Sequence, residues 1–444
     1  MEVIYQVLPR FWGKGKFADW DAKTFDYLKS LHVTAVWYTG IIRHATGKPY
    51  VKGNPGSPYS IEDYHDVNPY LAVEPGRRMD EFRNLVRRTH RAGLKVIIDF
   101  IPNHVSPDCR DLPVYDRFDY DWSDTRKVDY SRHETWDKML EIVLFWAKTG
   151  IDGLRCDMVE MVPPEFLKWL IARVRKVHPG FIFIGEVYDK NNYRRYITDL
   201  GFTLLYDKSG LYDNLRAIIC KGASARNITR NWQFLQDLQP HMLNFLENHD
   251  EQRFASSWFA GDAVKAFPAL ASGALFNRAS YMIYAGQEIG ADASEGDDGR
   301  TSIFNWTHPE PLRRLYRQIH GSEVLNPAET ALLAKYTAYL ALTSNPIFSR
   351  GDNYDLCWCN SILKGFDPEK HFAYLRYLRA ARKRKADAVL VVCNFSSSPA
   401  EMEINLPEDL RAKKELAWLP HTVRLSVDPW DACISFFSNF ACVH

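Results

Sequence analysis

The chain has 444 residues, of which 46% are hydrophobic and 14% aromatic, so it can bury a large core in two or three domains. Its 56 basic and 55 acidic side chains give a formal net charge of +1, which favours neutral substrates over nucleic acid or an anionic membrane. No apolar run approaches the ~20 residues that cross a bilayer, and no charged-then-apolar leader precedes the first predicted strand. The eight cysteines show no paired framework, so we expect free thiols and a cytoplasmic location.

Eight short apolar segments recur along the first two thirds of the chain and predict β-strands. They are VIYQVL (3–8), TAVWY (34–38), KVIIDF (95–100), DGLRCD (152–157), FIFIGE (181–186), FTLLY (202–206), MLNFLE (242–247) and SYMIYAG (280–286). Segments with helical periodicity, such as 78–93 and 164–177, lie between most of them. Strands that alternate with helices predict a parallel sheet, and eight such strands close a (β/α)8 barrel, the TIM barrel.

The alternation ends near residue 345. Three later segments, 386–398, 400–407 and 422–427, have the pattern of short strands separated by turn residues, without helices between them. Residues 105–132 are polar and irregular, which predicts a short inserted domain between the third strand and its helix. The predicted organisation is therefore a barrel (1–104 and 133–348), an inserted domain (105–132) and a C-terminal β-sandwich (349–444).

Charged side chains end or follow four of the predicted strands. In a parallel barrel the carboxyl ends of all strands open on one face, where active sites lie. Arg155 and Asp157 are two residues apart and therefore share one face of their strand, where each offsets the other's desolvation. An isolated ion pair would be structural, but four strands that supply charges to one mouth predict an active site. The charges on the other strands are Asp99 with His104 beyond it, Glu186, and His249 with Asp250.

Several carboxylates beside an arginine and histidines, without an evident metal cage, are typical of glycosyl transfer. A retaining glycosidase uses one carboxylate as nucleophile and another as acid/base around a positively charged transition state. Arg155 is expected to lower the pKa of the nucleophile, and an acid/base in a less cationic setting keeps its proton near neutral pH. The 13 Trp, 23 Tyr and 25 Phe also provide rings on which sugars stack.

At these residues the sequence resembles the α-amylase family of glycoside hydrolases. DFIPNH (99–104), GLRCD (153–157), GE (185–186) and ENHD (247–250) are similar to the family's four motifs, in the family's order and on the expected strands. The resemblance implies a retaining enzyme that cleaves α-glucosidic bonds, chiefly α-1,4, in starch-derived glucans or maltooligosaccharides. It extends from the first strand to the C-terminal domain.

The resemblance also implies roles for seven residues. Three acids are implied to be catalytic: Asp157 as the nucleophile, Glu186 as the general acid/base, and Asp250 as the acid that grips the sugar at the cleavage point. The other four are implied to bind that sugar: Tyr64 as its stacking platform, and His104, Arg155 and His249 as further contacts.

Two departures from the family pattern concern metal and specificity. Glu160 and Met161 occupy positions where many members have Lys-His, a pair that serves the leaving-group side and a calcium site. The first loop, GKGKFADW (13–20), lacks the acidic spacing of a calcium loop. We therefore expect no cofactor or metal ion, although the family admits a structural calcium. If Glu160 and Met161 face the substrate, leaving-group recognition is altered; the alternative is that both turn away and pack.

Other functions remain open at the level of sequence. A transglycosylase or an α-glucosidase acting on short oligosaccharides would share every motif. A catalytically inactive sugar-binding relative would normally lack one of the three acids, and a metal-dependent barrel hydrolase would normally have histidine ligands on the first strand. Nothing in the sequence indicates an oligomeric state.

Overall fold

Eight parallel strands form a closed barrel in the computed structural model, which describes residues 1–119, 122–379, 385–437 and 442–443. Neighbouring strands follow the chain order, and the eighth pairs with the first. All eight lie within the predicted segments, so the prediction of a TIM barrel is confirmed. The strands are β1 (Val3–Val7), β2 (Ala35–Tyr38), β3 (Lys95–Phe100), β4 (Gly153–Cys156), β5 (Ile182–Gly185), β6 (Leu204–Tyr206), β7 (Met242–Phe245) and β8 (Ser280–Tyr284).

Helices pack around the barrel with their apolar faces inward. In the second helix Phe82, Leu85 and Val86 are buried at helical spacing, as the sequence pattern predicts. The ninth begins with a reciprocal cap, in which Asn326 and Glu329 each accept the other's backbone N–H. The helices are α1 (Ala22–Ser30), α2 (Arg78–Arg91), α3 (His133–Lys148), α4 (Pro164–Val177), α5 (Asp213–Lys221), α6 (Arg226–Leu235), α7 (Ala266–Ala274), α8 (Glu310–Ile319), α9 (Pro327–Thr343) and the one-turn α10 (Pro346–Ser349).

Two small antiparallel sheets stand above the carboxyl ends of the barrel strands. After β2, the strand Ile42–His44 pairs with Ile61–Val67. After β3, Trp122–Val128 pairs on one side with His104–Val105 and on the other with Val114–Asp119. This second sheet occupies the region predicted as an inserted domain; the exact domain boundaries stay a prediction.

An antiparallel β-structure follows the barrel. Its strands are β9 (Asp352–Asp355), β10 (His371–Leu378), β11 (Asp387–Asn394), β12 (Ala400–Asn405), β13 (Thr422–Val427), β14 (Asp431–Phe436) and β15 (Cys442–Val443). The larger sheet has the strand order β9-β10-β11-β14-β15, and β12 pairs with β13. A one-turn helix, α11 (Glu408–Arg411), lies between β12 and β13, where the sequence predicted only turns. The fully buried Arg376 of β10 donates to the carbonyl of Leu275, so the sheet is tied to the barrel.

No helix in the described ranges is long and apolar enough to cross a membrane. No disulfide joins any two of the seven cysteines whose side chains the structure describes.

Candidate active site

A buried arginine joins three acids at the carboxyl ends of the barrel strands. Arg155, at the end of β4, has no exposed side-chain surface. Its Nη1 donates to Asp157 Oδ1 at 2.6 Å, and its Nη2 lies 2.7 Å from Glu186 Oε1. Asp250, beyond β7, is farther away, with Oδ2 at 3.9 Å from Nη2. The three predicted catalytic acids therefore meet at one guanidinium, although they are widely separated in sequence.

Aromatic rings immobilise this guanidinium. The centroids of Trp37, Tyr59 and Tyr206 lie 5.4, 5.6 and 5.4 Å from the Arg155 guanidinium carbon. The Nε atom also donates to the Tyr206 hydroxyl at 3.2 Å. Cation–π contacts are stronger away from water, so the cation stays in one place while the acids around it change protonation state.

The environment of Asp157 differs from the sequence expectation in one respect. Arg155 was expected to lower the pKa of this carboxyl, and the ion pair does act in that direction. Burial acts in the opposite direction and is the larger effect, so the pKa of Asp157 is raised above its ordinary value. The expected direction of the pKa shift was wrong because the degree of burial at a strand end cannot be read from residue types alone.

Glu186 has the surroundings of a general acid. Oε2 accepts the backbone N–H of Met158 at 2.8 Å, and Oε1 accepts the Tyr188 hydroxyl at 2.9 Å. Met158 adopts a left-handed backbone conformation (φ 44°), which costs energy for a non-glycine residue and is typical of functional sites. Burial and the charge of Asp157 raise the pKa of Glu186, while Arg155 opposes the rise. A raised pKa keeps Glu186 protonated, as a general acid must be before it donates its proton.

Asp250 and His249 form the third part of the site. Burial in the cleft and the neighbouring Glu186 raise the pKa of Asp250 to about 8, although 39% of its side chain is open to water. Burial and Arg155 lower the pKa of His249 well below its ordinary value, so its ring is neutral. The Gln6 amide nitrogen lies 2.7 Å from Nδ1, which leaves the ring proton on Nε2. Nε2 lies 2.5 Å from the Tyr59 hydroxyl and 3.1 Å from Asp250 Oδ2.

The acids line a cleft of about 270 Å³ that opens to solvent. His104 also lines it, with its ring 5.2 Å from that of Trp122, which the inserted sheet brings over the cleft. Arg155 and His249 lie just beneath the cleft surface, in contact with the acids that line it. Six of the seven predicted residues are thus brought together at one site.

Tyr64, the seventh, was wrongly predicted as the stacking platform. Its side chain is fully buried, its hydroxyl donates to the carbonyl of Ile101, and its ring packs near Phe100. Tyr59 lines the cleft instead, and its ring stacks on His249 with centroids 5.2 Å apart and an interplanar angle of 15°. Two tyrosines five residues apart in one loop are indistinguishable in sequence, because the loop's path decides which ring reaches the cleft.

Glu160 binds protein rather than facing the leaving-group side. Its Oε2 accepts the backbone N–H groups of Tyr188 and Asp189 at 2.8 and 3.2 Å, and its Oε1 accepts the Asn192 side-chain amide at 2.8 Å. Tyr188 in turn lines the cleft and donates to Glu186. The alternative in which Glu160 turns away from the substrate therefore matches the structure, and sequence reasoning missed both Tyr188 and this contact.

The expectation that no metal ion is needed stays a prediction. In the described part of the chain, one group of three side chains has potential ligand atoms within 4.8 Å of one another: Asp63, His65 and Asp111. Calcium takes six to eight oxygen ligands, so these three side chains do not by themselves make a calcium site. Their Asp111 carboxylate is already engaged by the backbone N–H of Tyr64.

A TIM barrel with three carboxyls of raised pKa around one arginine has the composition of a glycosidase site. The family model described as Alpha amylase, catalytic domain, matches residues 20–113 and 115–385. The chain therefore belongs to the α-amylase family.

Individual relatives are distant. Alpha-amylase MalA of Haloarcula japonica is 27% identical over 432 residues, covering 89% of this chain and 56% of that protein. Alpha-amylase 3 of Dictyoglomus thermophilum is 23% identical over 330 residues, covering 64% of this chain and 62% of that protein. The chain thus spans little more than half the length of these curated relatives. An alpha-amylase from Lactobacillus plantarum superposes with a TM-score of 0.72 at 21% identity, covering 98% of both chains, and shares the fold.

Proposed function

We propose that the chain is a retaining glycosidase that cleaves α-glucosidic bonds, chiefly α-1,4, in starch-derived glucans or maltooligosaccharides. One observation carries this proposal: Asp157 and Glu186 contact the same fully buried guanidinium, at 2.6 and 2.7 Å, in the floor of an open cleft. The similarity to the alpha-amylases of Haloarcula japonica and Dictyoglomus thermophilum supports the substrate class.

The separation of the two carboxyls supports retention. Retaining glycosidases hold them ~5–5.5 Å apart, whereas inverting enzymes need ~6.5–9.5 Å to place a water molecule against the sugar. Asp157 Oδ1 and Glu186 Oε1 lie 2.6 and 2.7 Å from the two terminal nitrogens of one guanidinium, which holds the two carboxyls side by side. This close pair favours direct attack by a carboxylate over attack by an interposed water.

The first step is glycosylation. Asp157 Oδ attacks the anomeric carbon while Glu186 donates its proton to the glycosidic oxygen, and the shortened glucan leaves with that proton. The products of this step are a covalent glycosyl ester on Asp157 and an ionised Glu186. Arg155 remains charged throughout and stabilises the carboxylate on whichever acid carries it.

The second step is deglycosylation. Because the ester removes the negative charge of Asp157, one cause of the raised pKa of Glu186 disappears and Glu186 remains ionised. It then takes a proton from water, whose oxygen attacks the anomeric carbon and releases Asp157. When a sugar hydroxyl replaces water, the same step becomes transglycosylation, which is the alternative function.

The remaining residues fit sugar binding. Asp250 offers its carboxyl to the hydroxyls of the sugar at the cleavage point, and His249 lies beneath the cleft surface and contacts both Asp250 and the Tyr59 hydroxyl. Tyr59 presents a ring whose face is already fixed by stacking on His249. His104 lines the same cleft from the other side, beside Trp122.

A product profile tests the proposal. Purified protein is incubated with starch, maltotriose, pullulan, isomaltose, trehalose and sucrose, and the products are separated by chromatography. We expect cleavage of the α-1,4-linked substrates, and loss of this cleavage in Asp157→Asn. Asp237→Asn, which changes an exposed aspartate paired with Arg194, is the matched control and retains activity. No cleavage of any α-glucan by the folded protein would overturn the proposal.

A further inference from the structure

Two loops join above one side of the barrel mouth. They follow β2 and β8, the strands on either side of β1. Pro55 in the first loop forms an antiparallel β-bridge with Asn305 in the second. We call the contact between residues 52–57 and residues 302–306 the loop junction.

The junction is closely packed. Trp306 Nε1 donates to Asn54 Oδ1 at 3.1 Å, and Lys52 Nζ lies 5.5 Å from the centroid of the Phe304 ring. Gly53 has a φ of +65°, and a Cβ at this position would lie 2.4 Å from the Phe304 carbonyl oxygen. Only glycine allows the two backbones to approach this closely.

The barrel supports the junction from below. The Trp306 ring packs edge-on against Tyr70, with centroids 5.0 Å apart. Arg10, directly after β1, donates to the Ser302 carbonyl at 3.4 Å, and its guanidinium lies 6.0 Å from the Trp306 ring. The two loops of the junction therefore contact the barrel as well as each other.

Residues of the junction form a wall of the catalytic cleft. Lys52 and Ser57 from the first loop, and Ile303 and Phe304 from the second, line the same cleft as the three acids. Ile303 and Phe304, together with Asp250, also line a second cavity, whose other walls are His249 and the segment 295–307. The cleft and that cavity adjoin at these three residues.

The position of the acid/base decides which end of the substrate meets this wall. Glu186 protonates the glycosidic oxygen, so the leaving group lies on the side of Glu186 and Tyr188. The rest of the sugar chain, towards its non-reducing end, extends past Tyr59 and Asp250 to the junction.

We propose that the loop junction closes the glycone end of the cleft, so that the enzyme takes the free non-reducing ends of short α-glucooligosaccharides rather than the interior of a long chain. This inference rests on the proposed function and names its substrate class. Because the junction lines the same cleft as the three acids, only one or two glucosyl units fit between them. Each cleavage therefore releases only one or two units. The proposal places no wall on the leaving-group side of the cleft, beyond Tyr188.

The test compares two maltoheptaoses that carry the same fluorescent label at the reducing end. One has a free non-reducing end, and the other carries an ethylidene group across O4 and O6 of its terminal glucose. We expect the free substrate to be shortened stepwise by one or two units. The blocked substrate is expected to react at least about 100-fold more slowly, because a group that clashes with a wall loses transition-state binding.

A variant that opens the junction provides the second measurement. Asn54→Ala with Trp306→Ala removes the cross-loop hydrogen bond and the packed indole, and is expected to raise the rate on the blocked substrate relative to the free one. Trp358→Ala is the matched control, since Trp358 is 66% exposed in the segment between β9 and β10. The ratio of the two rates stays unchanged in that control.

The outcomes separate the two proposals. If the wild type cleaves neither substrate, the proposed function fails. If it cleaves blocked and free substrates equally well, with labelled products of all lengths appearing at once, the glucosidase assignment stands and closure by the junction is wrong. The wild-type comparison decides this even where the double variant does not fold.

Discussion

Replacement of Glu160 tests whether a residue outside the cleft controls the acid/base. Glu160 holds the backbone of Tyr188, and Tyr188 donates to Glu186 at 2.9 Å. In Glu160→Ala both backbone N–H groups of the Tyr188–Asp189 segment lose their acceptor. We therefore expect Glu160 to act as a positioning residue, through Tyr188.

The magnitude follows from the contacts that are lost. A hydrogen bond to a charged group contributes ~1.5–3 kcal/mol, and the partial exposure of this segment places the value at the low end. If the displaced Tyr188 hydroxyl stabilises the transition state less well by about 1.4 kcal/mol, kcat falls about tenfold. The hydroxyl donates to Glu186 and favours its ionised form, so its loss raises the pKa of Glu186 further.

The assay is the pH dependence of kcat/KM. Activity requires protonated Glu186 and is lost as pH rises through its pKa, which burial already raises. In Glu160→Ala the alkaline limb should therefore move to higher pH, as it should in Tyr188→Phe. Glu160→Gln keeps an acceptor oxygen. Its alkaline limb should therefore lie between those of Glu160→Ala and wild type.

A control separates this effect from general damage. Glu165→Gln alters an exposed glutamate in the first turn of α4 and should change neither rate nor pH profile. The reasoning is refuted if Glu160→Ala lowers the melting temperature while kcat and the alkaline limb stay at wild-type values, because Glu160 would then only stabilise the fold.

Three further outcomes are expected. Glu186→Gln should lose several orders of magnitude on maltooligosaccharides but retain activity on an α-glucosyl fluoride, whose leaving group needs no proton, whereas Asp157→Asn should be inactive on both; equal losses on the fluoride would contradict these roles. Tyr59→Ala should lower kcat/KM by about 10–100-fold, since stacking contributes ~0.5–1.5 kcal/mol beyond burial and the ring also positions His249, while Tyr64→Phe should change melting temperature but not kcat/KM; the reverse pattern would restore Tyr64 as the platform. Chelation should leave the melting temperature unchanged, and a large drop that calcium alone restores would show that a metal ion is required.

The barrel was predictable because its signal is local. Each strand is a short apolar run, each helix such as Arg78–Arg91 has its own periodicity, and alternation of the two leaves few topologies. The catalytic acids were predictable for a related reason. Asp157 and Glu186 end adjacent parallel strands, so their proximity follows once the strand order is known.

The features that the sequence did not predict depend on contacts between distant segments. Tyr59 reaches the cleft and Tyr64 does not because of the path of one loop. Glu160 meets backbone N–H groups 28 and 29 residues later in the chain, and backbone groups carry no residue-specific signal. The loop junction joins residues about 250 positions apart, and the net pKa of Asp157 depends on burial that only the folded structure reveals.

The central claim is that Asp157 forms a covalent bond to the sugar during catalysis. It is tested most directly by mass spectrometry of the protein after reaction with 5-fluoro-α-glucosyl fluoride, which slows the second step and accumulates the intermediate. The account predicts one added fluoroglucosyl unit, located on the peptide that contains Asp157 and lost again on incubation with an acceptor sugar. A protein that turns over α-glucans yet carries no label, or carries it on another carboxylate, would contradict the account.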